Sequence, residues 1–352
     1  MLRRRLSAAG ADAMVVTHLP NIYYLSGFTG SSGALVVEHG RTTLFTDGRY
    51  AIQAPAQAAP AGTRVEITKG PLPTAVGAHL ASRKRIRAVY DPARVTVAAQ
   101  KTLEKAAGRA VRWRAEVGWT EALRAIKSPA EIAQMRKAAR LGSQVFEQTV
   151  KVIRPGITEI DLAAEIEYRM RKLGAEGPSF ETIVASGPRG ALPHAHPTSK
   201  RLRRNELVVL DLGAILARYC CDLTRTVFLG RAPARVRRWY RAVSEARQAA
   251  CEALAVGAKA GAPDAAARQV LVAYDLGRYF THSTGHGLGL EVHEEPRLAA
   301  GQVREIEAGN VVTIEPGVYV EGVGGIRIED DVAVHSKGIE VLTTAPLELL
   351  EL

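Results

Sequence analysis

Residues 206–331 contain five side chains whose types and settings suit a pair of metal ions. Four are carboxylates placed in apolar, strand-like runs, and the fifth is a histidine between glycines. The five are Asp211, Asp222, His286, Glu315 and Glu329. A buried carboxylate must be paired or bind a metal, because an isolated charge loses its hydration. The placement of these residues therefore predicts a shared cation site.

The charges of this set balance two divalent cations. Four carboxylates and two such cations cancel, and the histidine binds as neutral imidazole, so a bridging hydroxide would leave a single negative charge. Mostly oxygen ligands with one nitrogen favour Mn, with Co or Zn as alternatives. Each acid taken alone could instead cap a turn or pair with an arginine, but the five together favour metal binding.

The length and composition indicate a soluble protein with one large or two medium domains. The chain has 352 residues, of which 47% are hydrophobic and 24% charged. No apolar run is long enough to span a membrane. The basic residues 3–5 are followed by small and polar residues, so residues 2–9 predict a short helix rather than a signal peptide, and we expect a cytoplasmic protein.

The net charge of +11 raises the question of a nucleic-acid partner. The basic residues are spread over separate segments, and aromatic residues make up only 5% of the chain. Binding to single strands relies on aromatic stacking, whereas a dispersed excess of arginine mainly affects solubility and loose association. We therefore expect no specific nucleic-acid binding and no membrane partner.

Residues 1–120 predict an α/β domain in which strands alternate with helices. The strands are expected at 13–16, 34–37, 43–46, 87–90 and 110–113, and the helices at 51–59, 72–81 and 98–107. This alternation indicates a partly parallel sheet. The glycines and serines of residues 21–33 predict turns, and their spacing fits neither a phosphate-binding loop nor a dinucleotide fingerprint.

Residues 121–352 predict a second domain that begins with two long helices. Ser128, Pro129 and Glu131 form a strong helix start, and the helix is expected to end near Val152. Thr158 starts the next helix, which ends near residue 174.

Strands are expected to follow these helices and to carry the acids. Residues 206–214 and 219–229 predict an antiparallel pair, and the odd separation of Asp211 and Asp222 places both on one face. Helices at 235–255 and 263–275 and strands at 311–315 and 325–334 complete the predicted domain.

These motifs resemble those of the creatinase/aminopeptidase family of pita-bread metallopeptidases. All five candidate ligands stand in motifs that follow the family's order, and residues 21–33 and 46–50 are similar to two N-terminal family motifs. The resemblance implies an α/β fold of the α+β kind. A creatinase-like N-terminal domain would precede a pita-bread domain with a curved, mainly antiparallel sheet covered by helices. Creatinases and noncatalytic relatives do not keep the ligand set, and methionine aminopeptidases lack this N-terminal domain, so a proline-specific peptidase is favoured.

The resemblance also implies roles for the five ligands. Asp211 would bind one metal in a bidentate manner, and Asp222 and Glu329 would bridge both metals. His286 and Glu315 would complete the shell of the other metal. In the family, the glutamate matching Glu315 is also proposed to handle the proton of the bridging water.

Four further residues are candidates for the surroundings of the metals. His194 and His293 match family histidines that line the site without being primary ligands, and either could donate to an anionic intermediate. Arg327, two residues before Glu329, is placed to hold a ligand carboxylate. His282 is ambiguous, since it could line the substrate pocket or simply precede the glycine-rich loop.

Two proline-specific activities match the resemblance: Xaa-Pro dipeptidase (prolidase) and Xaa-Pro aminopeptidase, which acts on longer peptides. A dipeptidase must recognise the free carboxylate of the proline, and the guanidinium fork of arginine suits that task. Arg297 is the candidate, because prolidases often carry a similar arginine there; the alternative is a surface arginine beside Glu294 and Glu295. We expect a prolidase, and the resemblance also implies a homodimer. A noncatalytic binding protein on the same fold is the distant alternative.

Overall fold

The computed structural model describes residues 1–83 and 85–352. The chain divides into two compact units, Met1–Arg124 and Ala125–Leu352. Within the described ranges, no helix is both long enough and apolar enough to cross a membrane.

The first unit alternates helices and strands. Its helices are α1 (Leu2–Ala8), α2 (Leu19–Ser26), α3 (Gln53–Ala58), α4 (Leu72–Ala81), α5 (Val97–Ala107) and α6 (Glu121–Arg124). Its strands are β1 (Ala13–Val16), β2 (Ala34–Glu38), β3 (Thr42–Asp47), β4 (Thr63–Thr68), β5 (Ile86–Tyr90) and β6 (Val111–Ala115).

These strands form one mixed sheet in the order β4-β3-β2-β1-β5-β6. The pairs β3–β4, β1–β5 and β5–β6 are parallel, whereas β1–β2 and β2–β3 are antiparallel, so the prediction of a partly parallel sheet is confirmed. The central strand β1 is buried along its whole length, and alternate residues feed two hydrophobic clusters. This alternation follows from the two-residue period of a strand.

Two elements of the first unit were not predicted from the sequence. The glycines and serines of residues 21–33 were expected to mark turns, but α2 covers the first part of this stretch and buries Ile22. Gly27 ends the helix with φ of +77°, a left-handed conformation that favours glycine. Strand β4 was not predicted, although Val65 and Ile67 alternate with charged residues; it is an edge strand that leaves Arg64 and Ile67 exposed.

The second unit consists of four long helices and a series of short strands in its described residues. The helices are α7 (Pro129–Val150), α8 (Glu159–Lys172), α9 (Ala234–Glu252) and α10 (Ala262–Ala273). The strands are β7 (Gly177–Pro178), β8 (Ile183–Ser186), β9 (Glu206–Leu212), β10 (Ala214–Leu216), β11 (Tyr219–Cys220), β12 (Leu223–Leu229), β13 (Gly285–Gly287), β14 (Glu294–Leu298), β15 (Val311–Ile314), β16 (Gly317–Val320), β17 (Gly324–Arg327), β18 (Asp330–His335) and β19 (Gly338–Val341).

Both predicted helix starts are confirmed by complete capping boxes. The Ser128 side chain accepts a hydrogen bond from the backbone of Glu131, whose carboxylate accepts one in return from the Ser128 backbone. Thr158 and Asp161 make the same reciprocal pair at the start of α8. Each box satisfies backbone N–H groups that have no partner within the helix.

The strands of the second unit pair in antiparallel fashion, as expected. They form sheets in the orders β12-β9-β8 and β14-β13-β15-β18-β19, with shorter pairings beside them. Helices α7 and α8 contribute to one hydrophobic cluster, and α9 and α10 contribute to a second one.

Two strands that were predicted as continuous are interrupted at candidate ligands. The strand expected at 219–229 is broken into β11 and β12, and Asp222 lies in the gap. The strand expected at 325–334 is broken into β17 and β18, and Glu329 lies in that gap. The Glu329 backbone N–H bonds across to the carbonyl of Thr224 rather than along its own sheet. The gaps therefore sit at two of the residues proposed to face a cation.

Candidate metal centre

Each candidate ligand is placed by the end or the interior of a short strand. Asp211 lies inside β9 and is paired with Thr224 of β12, so Asp222, two residues before Thr224, is its diagonal neighbour on the same face. Glu315 follows the last residue of β15, and His286 is the middle residue of β13. Strands β15 and β13 pair through Gly287 and Val312. The sheet ladders thus bring together residues that are far apart in sequence.

The side chains of these residues converge in one buried cluster. Suitable ligand atoms of Asp222, His286 and Glu329 all lie within 4.8 Å of one another. The Nε2 atom of His286 is 3.5 Å from Oε1 of Glu315 and 3.7 Å from Oδ2 of Asp222. Asp211, Asp222 and Glu329 are buried, whereas Glu315 and His286 are partly buried. Carboxylates this close and this poorly hydrated repel one another strongly.

Burial and the crowding of like charges raise the pKa values of three acids in the cluster. Burial and the neighbouring carboxylates Glu329 and Asp211 raise the pKa of Asp222 well above its usual range. Burial and the charges of Glu315 and Asp211 do the same to Glu329. Burial raises the pKa of Glu315 to about 7, against the opposing charge of Arg327. The raised pKa values indicate that the surrounding polar groups do not compensate the negative charge of the cluster.

Arg327 and Thr224 link the acids of the cluster from one side. Arg327 donates from Nη2 to Oδ2 of Asp211 at 2.5 Å and from Nε to Oγ1 of Thr224 at 2.9 Å. The Thr224 hydroxyl in turn donates to Oε2 of Glu329 at 2.6 Å. The other carboxylate oxygen of Asp211 is buried and accepts no hydrogen bond from the described residues. Such an oxygen has lone pairs that are available to a cation.

Three histidines surround the cluster. The rings of His286 and His293 are in edge-to-face contact with their centroids 4.3 Å apart. Burial is the main cause that lowers the pKa of His293, and the charge of His194 adds to it. Burial likewise lowers the pKa of His282 to about 4, with smaller effects from Arg327 and His194. The charge of His194 thus acts on both rings.

His282 is directed at the cluster rather than away from it. Its Nε2 atom is 2.7 Å from the Tyr319 hydroxyl, and its Nδ1 atom is 3.9 Å from Oε2 of Glu315. The Tyr319 hydroxyl also accepts a hydrogen bond of 2.7 Å from Nη1 of Arg327. The backbone carbonyl of His282 accepts from Arg268 at 2.5 Å. His282 therefore lies beside Glu315 and Tyr319.

Arg297 lies on β14 with an exposed side chain. Its guanidinium forms no hydrogen bond or ion pair with another described residue, although Glu294 and Glu295 are near in sequence. Its charge is one of the causes that lower the pKa of His286 to about 4, after burial and the charge of His293. The positive charge of Arg297 thus reaches the cluster without being neutralised by the neighbouring acids.

The glycines around His286 allow the strands to approach closely. A Cβ atom on Gly285 would overlap the carbonyl of Thr313, and one on Gly287 would overlap the carbonyl of Glu295. The Thr313 hydroxyl accepts the backbone N–H of His286 at 3.1 Å. Glycine at both positions is therefore required by the distance between strands.

Three residues of the site were not predicted from the sequence: Tyr319, Thr224 and Asp331. Tyr319 joins His282 to Arg327, and Asp331 accepts the backbone N–H of Asp222 at 3.1 Å. Thr224 and Asp331 each lie two residues after a candidate ligand, a spacing that places side chains on one side of an extended backbone. That spacing is a signal that the sequence offered. Tyr319 carries no comparable signal, because its partners are distant in the chain.

Comparison with known families gives two matches. The model described as "Metallopeptidase family M24" matches residues 133–336, and the model described as "Creatinase/Prolidase N-terminal domain" matches residues 1–126. Together they span both units of the chain.

The chain is similar to an uncharacterized peptidase and to proteins named as proline-specific peptidases. An uncharacterized peptidase of Bacillus subtilis, YqhT, is 36% identical over 349 residues, which are 99% of this chain and 98% of that protein. The structure of an Xaa-Pro dipeptidase from Bacillus anthracis is 36% identical, with a TM-score of 0.95 and coverage of 100% and 98% of the two chains. The structure of an X-Pro aminopeptidase from Thermotoga maritima is 34% identical, with a TM-score of 0.91 and coverage of 99% and 100%.

Proposed function

Because the chain belongs to metallopeptidase family M24, we propose that it is an Xaa-Pro dipeptidase that hydrolyses the bond before a C-terminal proline. The observation that carries this proposal is the convergence of Asp211, Asp222, His286, Glu315 and Glu329 in one cluster. We assign the activity to a catalytic domain at residues 121–352. The similarity to the Bacillus anthracis dipeptidase supports the choice of substrate.

The donor set fits two divalent cations. Four carboxylates are crowded together, and burial with mutual repulsion raises the pKa of Asp222 and Glu329. A buried oxygen of Asp211 lacks a donor. Oxygen donors with one imidazole suit Mn, with Co or Zn as alternatives. Two such ions would supply a hydroxide at neutral pH and polarise the scissile carbonyl.

The residues around the cluster have distinct tasks in this proposal. His194 and His293 are the donors available to the oxyanion that forms when the carbonyl is attacked. Glu315 accepts the proton of the attacking water and returns it to the proline nitrogen, which must be protonated to leave as an amine. Arg327 holds Asp211 in place through its short hydrogen bond. His282 lies beside Glu315, where it can line the substrate pocket.

Arg297 is proposed to bind the free carboxylate of the proline. Its side chain is exposed, carries no ion pair with another described residue and lies near enough to influence His286. A bidentate arginine pair would select substrates that end at proline. The second candidate function, an Xaa-Pro aminopeptidase, is favoured by the similarity to the Thermotoga maritima protein.

The experiment that tests the metal requirement compares turnover of an Xaa-Pro dipeptide before and after complete chelation, and after Mn is restored. We expect loss on chelation, recovery with Mn, and little activity in Asp222→Asn under any condition. Turnover that persists after complete chelation, or in the Asp222→Asn variant, would refute the proposed mechanism.

Substrate length is tested with matched Xaa-Pro and Xaa-Pro-Yaa peptides. Arg297→Ala should raise KM for the dipeptide about 10-fold or more, and much less for the tripeptide, because only the dipeptide presents its carboxylate at proline. Arg304→Ala, which removes an arginine that lies after β14 and pairs with Glu295 and Glu307, is the control and should change neither KM. Equal losses on both peptides would exclude the clamp, and a preference of the unaltered enzyme for the tripeptide would favour the aminopeptidase. We further propose a homodimer, which light scattering after size exclusion can test.

A further inference from the structure

Glu159 is a fully buried carboxylate that the proposed chemistry does not use. It is the first residue of α8, and both of its oxygens accept hydrogen bonds. Oε1 accepts from the backbone and hydroxyl of Ser186 at 2.9 and 2.8 Å. Oε2 accepts from Nε of Arg189 at 3.0 Å and from the backbone and hydroxyl of Thr198 at 3.1 and 2.7 Å. Five donors therefore meet on one side chain.

These donors bracket a single loop. Ser186 is the last residue of β8, and Thr198 lies at the far end of the segment 187–198. The backbone N–H groups of Glu159 and Ile160 reinforce this closure, because they donate to the carbonyls of Lys200 and Thr198 at 3.0 Å each. The two ends of the loop are thus fastened to the start of α8 at one point.

Helix α8 gives this fastening point a rigid base. Leu162, Ile166 and Met170 are fully buried and belong to the hydrophobic cluster formed by α7, α8 and several strands. The capping of the helix does not depend on the Glu159 carboxylate, since the Thr158 side chain and Asp161 satisfy the first turn. The carboxylate is therefore available for the loop alone.

The loop carries His194. Its side chain is exposed and forms no hydrogen bond with another described residue, so the ring has no direct support. Support comes from the loop backbone, where Nη1 of Arg327 donates to the carbonyl of Pro193 at 3.3 Å. Glu159 binds both ends of the segment 187–198, whose other anchors include the 2.9 Å ion pair of His196 with Glu181 and the close packing of Gly187 and Gly190 against Gly324 and Gly325. The position of His194 relative to His293 consequently depends on these contacts.

Glu159 is ionised in this setting. Burial opposes its ionisation, but the hydrogen bonds from Thr198 and Ser186 and the charge of Arg189 outweigh burial and hold the pKa of Glu159 below its usual range. Hydrogen bonds to a charged acceptor are shorter and stronger than neutral ones. A neutral amide of the same shape cannot replace this acceptor, because its NH₂ group would face either Ser186 or Thr198.

We propose that Glu159 is a positioning residue for His194: it closes the loop 187–198 on α8 and so sets where the imidazole stands at the site. This inference rests on the proposed function, in which His194 donates to the oxyanion. A displacement of a donor by about 1 Å is enough to lower a rate about 100-fold. Since the oxyanion exists only along the reaction path, the loss should appear in kcat and not in KM.

The test is a double-mutant cycle of Glu159→Gln and His194→Ala, measured with an Xaa-Pro dipeptide. We expect Glu159→Gln to lower kcat about 10- to 100-fold with KM changed less than about twofold. In the His194→Ala background the same change should lower kcat less than about twofold. A loss of equal size in both backgrounds would overturn the proposal, because it would show that Glu159 acts independently of His194.

Hydrogen exchange of the segment 187–198 provides a readout without turnover. Glu159→Gln should accelerate exchange of this segment about 10-fold or more relative to the core of α8, and unchanged exchange would overturn the proposal. Glu340→Gln, which also removes an arginine–carboxylate pair, is the matched control and should leave the segment unchanged. Thr198→Val removes one hydroxyl donor and keeps the side-chain size, so it tests the same loop if Glu159→Gln does not fold. If the unaltered protein hydrolyses no Xaa-Pro peptide, the proposed function fails while the exchange experiment still decides whether Glu159 holds the loop.

Discussion

Replacing Asp330 by asparagine should destabilise the second unit strongly. Asp330 is buried on β18 and accepts hydrogen bonds from two buried arginines. Oδ1 is 2.7 Å from Nη2 of Arg225, and Oδ2 is 2.6 Å from Nε and 2.5 Å from Nη2 of Arg247. Arg225 also donates to the carbonyl of Glu329 at 2.6 Å. The charge of Asp330 is therefore the counterion for two guanidinium groups beside the candidate metal cluster.

The expected magnitude follows from the burial of all three side chains, which are 1–7% exposed. Removing one partner of a buried ion pair destabilises a protein by about 3–5 kcal/mol, because the other charge is left without compensation. Asp330→Asn leaves two such charges, so we expect a loss at the upper end of this range. That is a large share of a typical stability of about 5–15 kcal/mol.

The assay is urea unfolding of chelated protein, so that cation binding does not contribute. Glu340→Gln is the control, since Glu340 makes a comparable two-point contact with Arg136 but is about one-third exposed. Its loss should be about 1 kcal/mol or less. Asp330→Asn combined with Arg247→Met should lose less than the sum of the single variants, because one uncompensated charge is removed. An Asp330→Asn variant within about 1 kcal/mol of the unaltered protein would refute the reasoning.

Two further predictions concern ion pairs elsewhere in the second unit. Lys127→Met should lower the free energy of unfolding by about 3 kcal/mol, because Lys127 pairs with the buried carboxylate of Glu294 at 3.1 Å. It should also reduce kcat, since Glu294 is the residue after His293. An unchanged urea midpoint and unchanged turnover would contradict this prediction. The hydrogen bonds of Arg136 lower the pKa of Glu340 to about 2, against the effect of burial. The contribution of ionised Glu340 to the free energy of unfolding should therefore be complete above about pH 5 and decline as the pH falls towards 2. Urea unfolding of Glu340→Gln and of the unaltered protein should therefore converge in acid, and a difference that grows in acid would exclude this linkage.

The sequence allows the acidic cluster to be predicted because charge inside an apolar strand contradicts the pattern around it. Asp211 could be identified as a candidate ligand for this reason, and so could Glu315 at the end of β15. The interruptions at Asp222 and Glu329 could not be predicted, since a break of two residues leaves the apolar pattern intact. The role of Tyr319 could not be predicted either, because its hydrogen bonds to His282 and Arg327 depend on tertiary packing and not on a local sequence pattern. Helix α2 was missed because flanking glycines and serines outweighed its short apolar face.

The support around the cluster follows from the two-residue period of a strand. Thr313 lies two residues before Glu315 and donates to it at 3.4 Å. Asp331 lies two residues after Glu329 and accepts the backbone N–H of Asp222. Asp330, between them, points to the other face and meets the arginines. Alternation therefore separates an acidic face, which suits cations, from a face on which the protein supplies its own counterions. A single register shift would exchange the two, because every side chain would move to the opposite face.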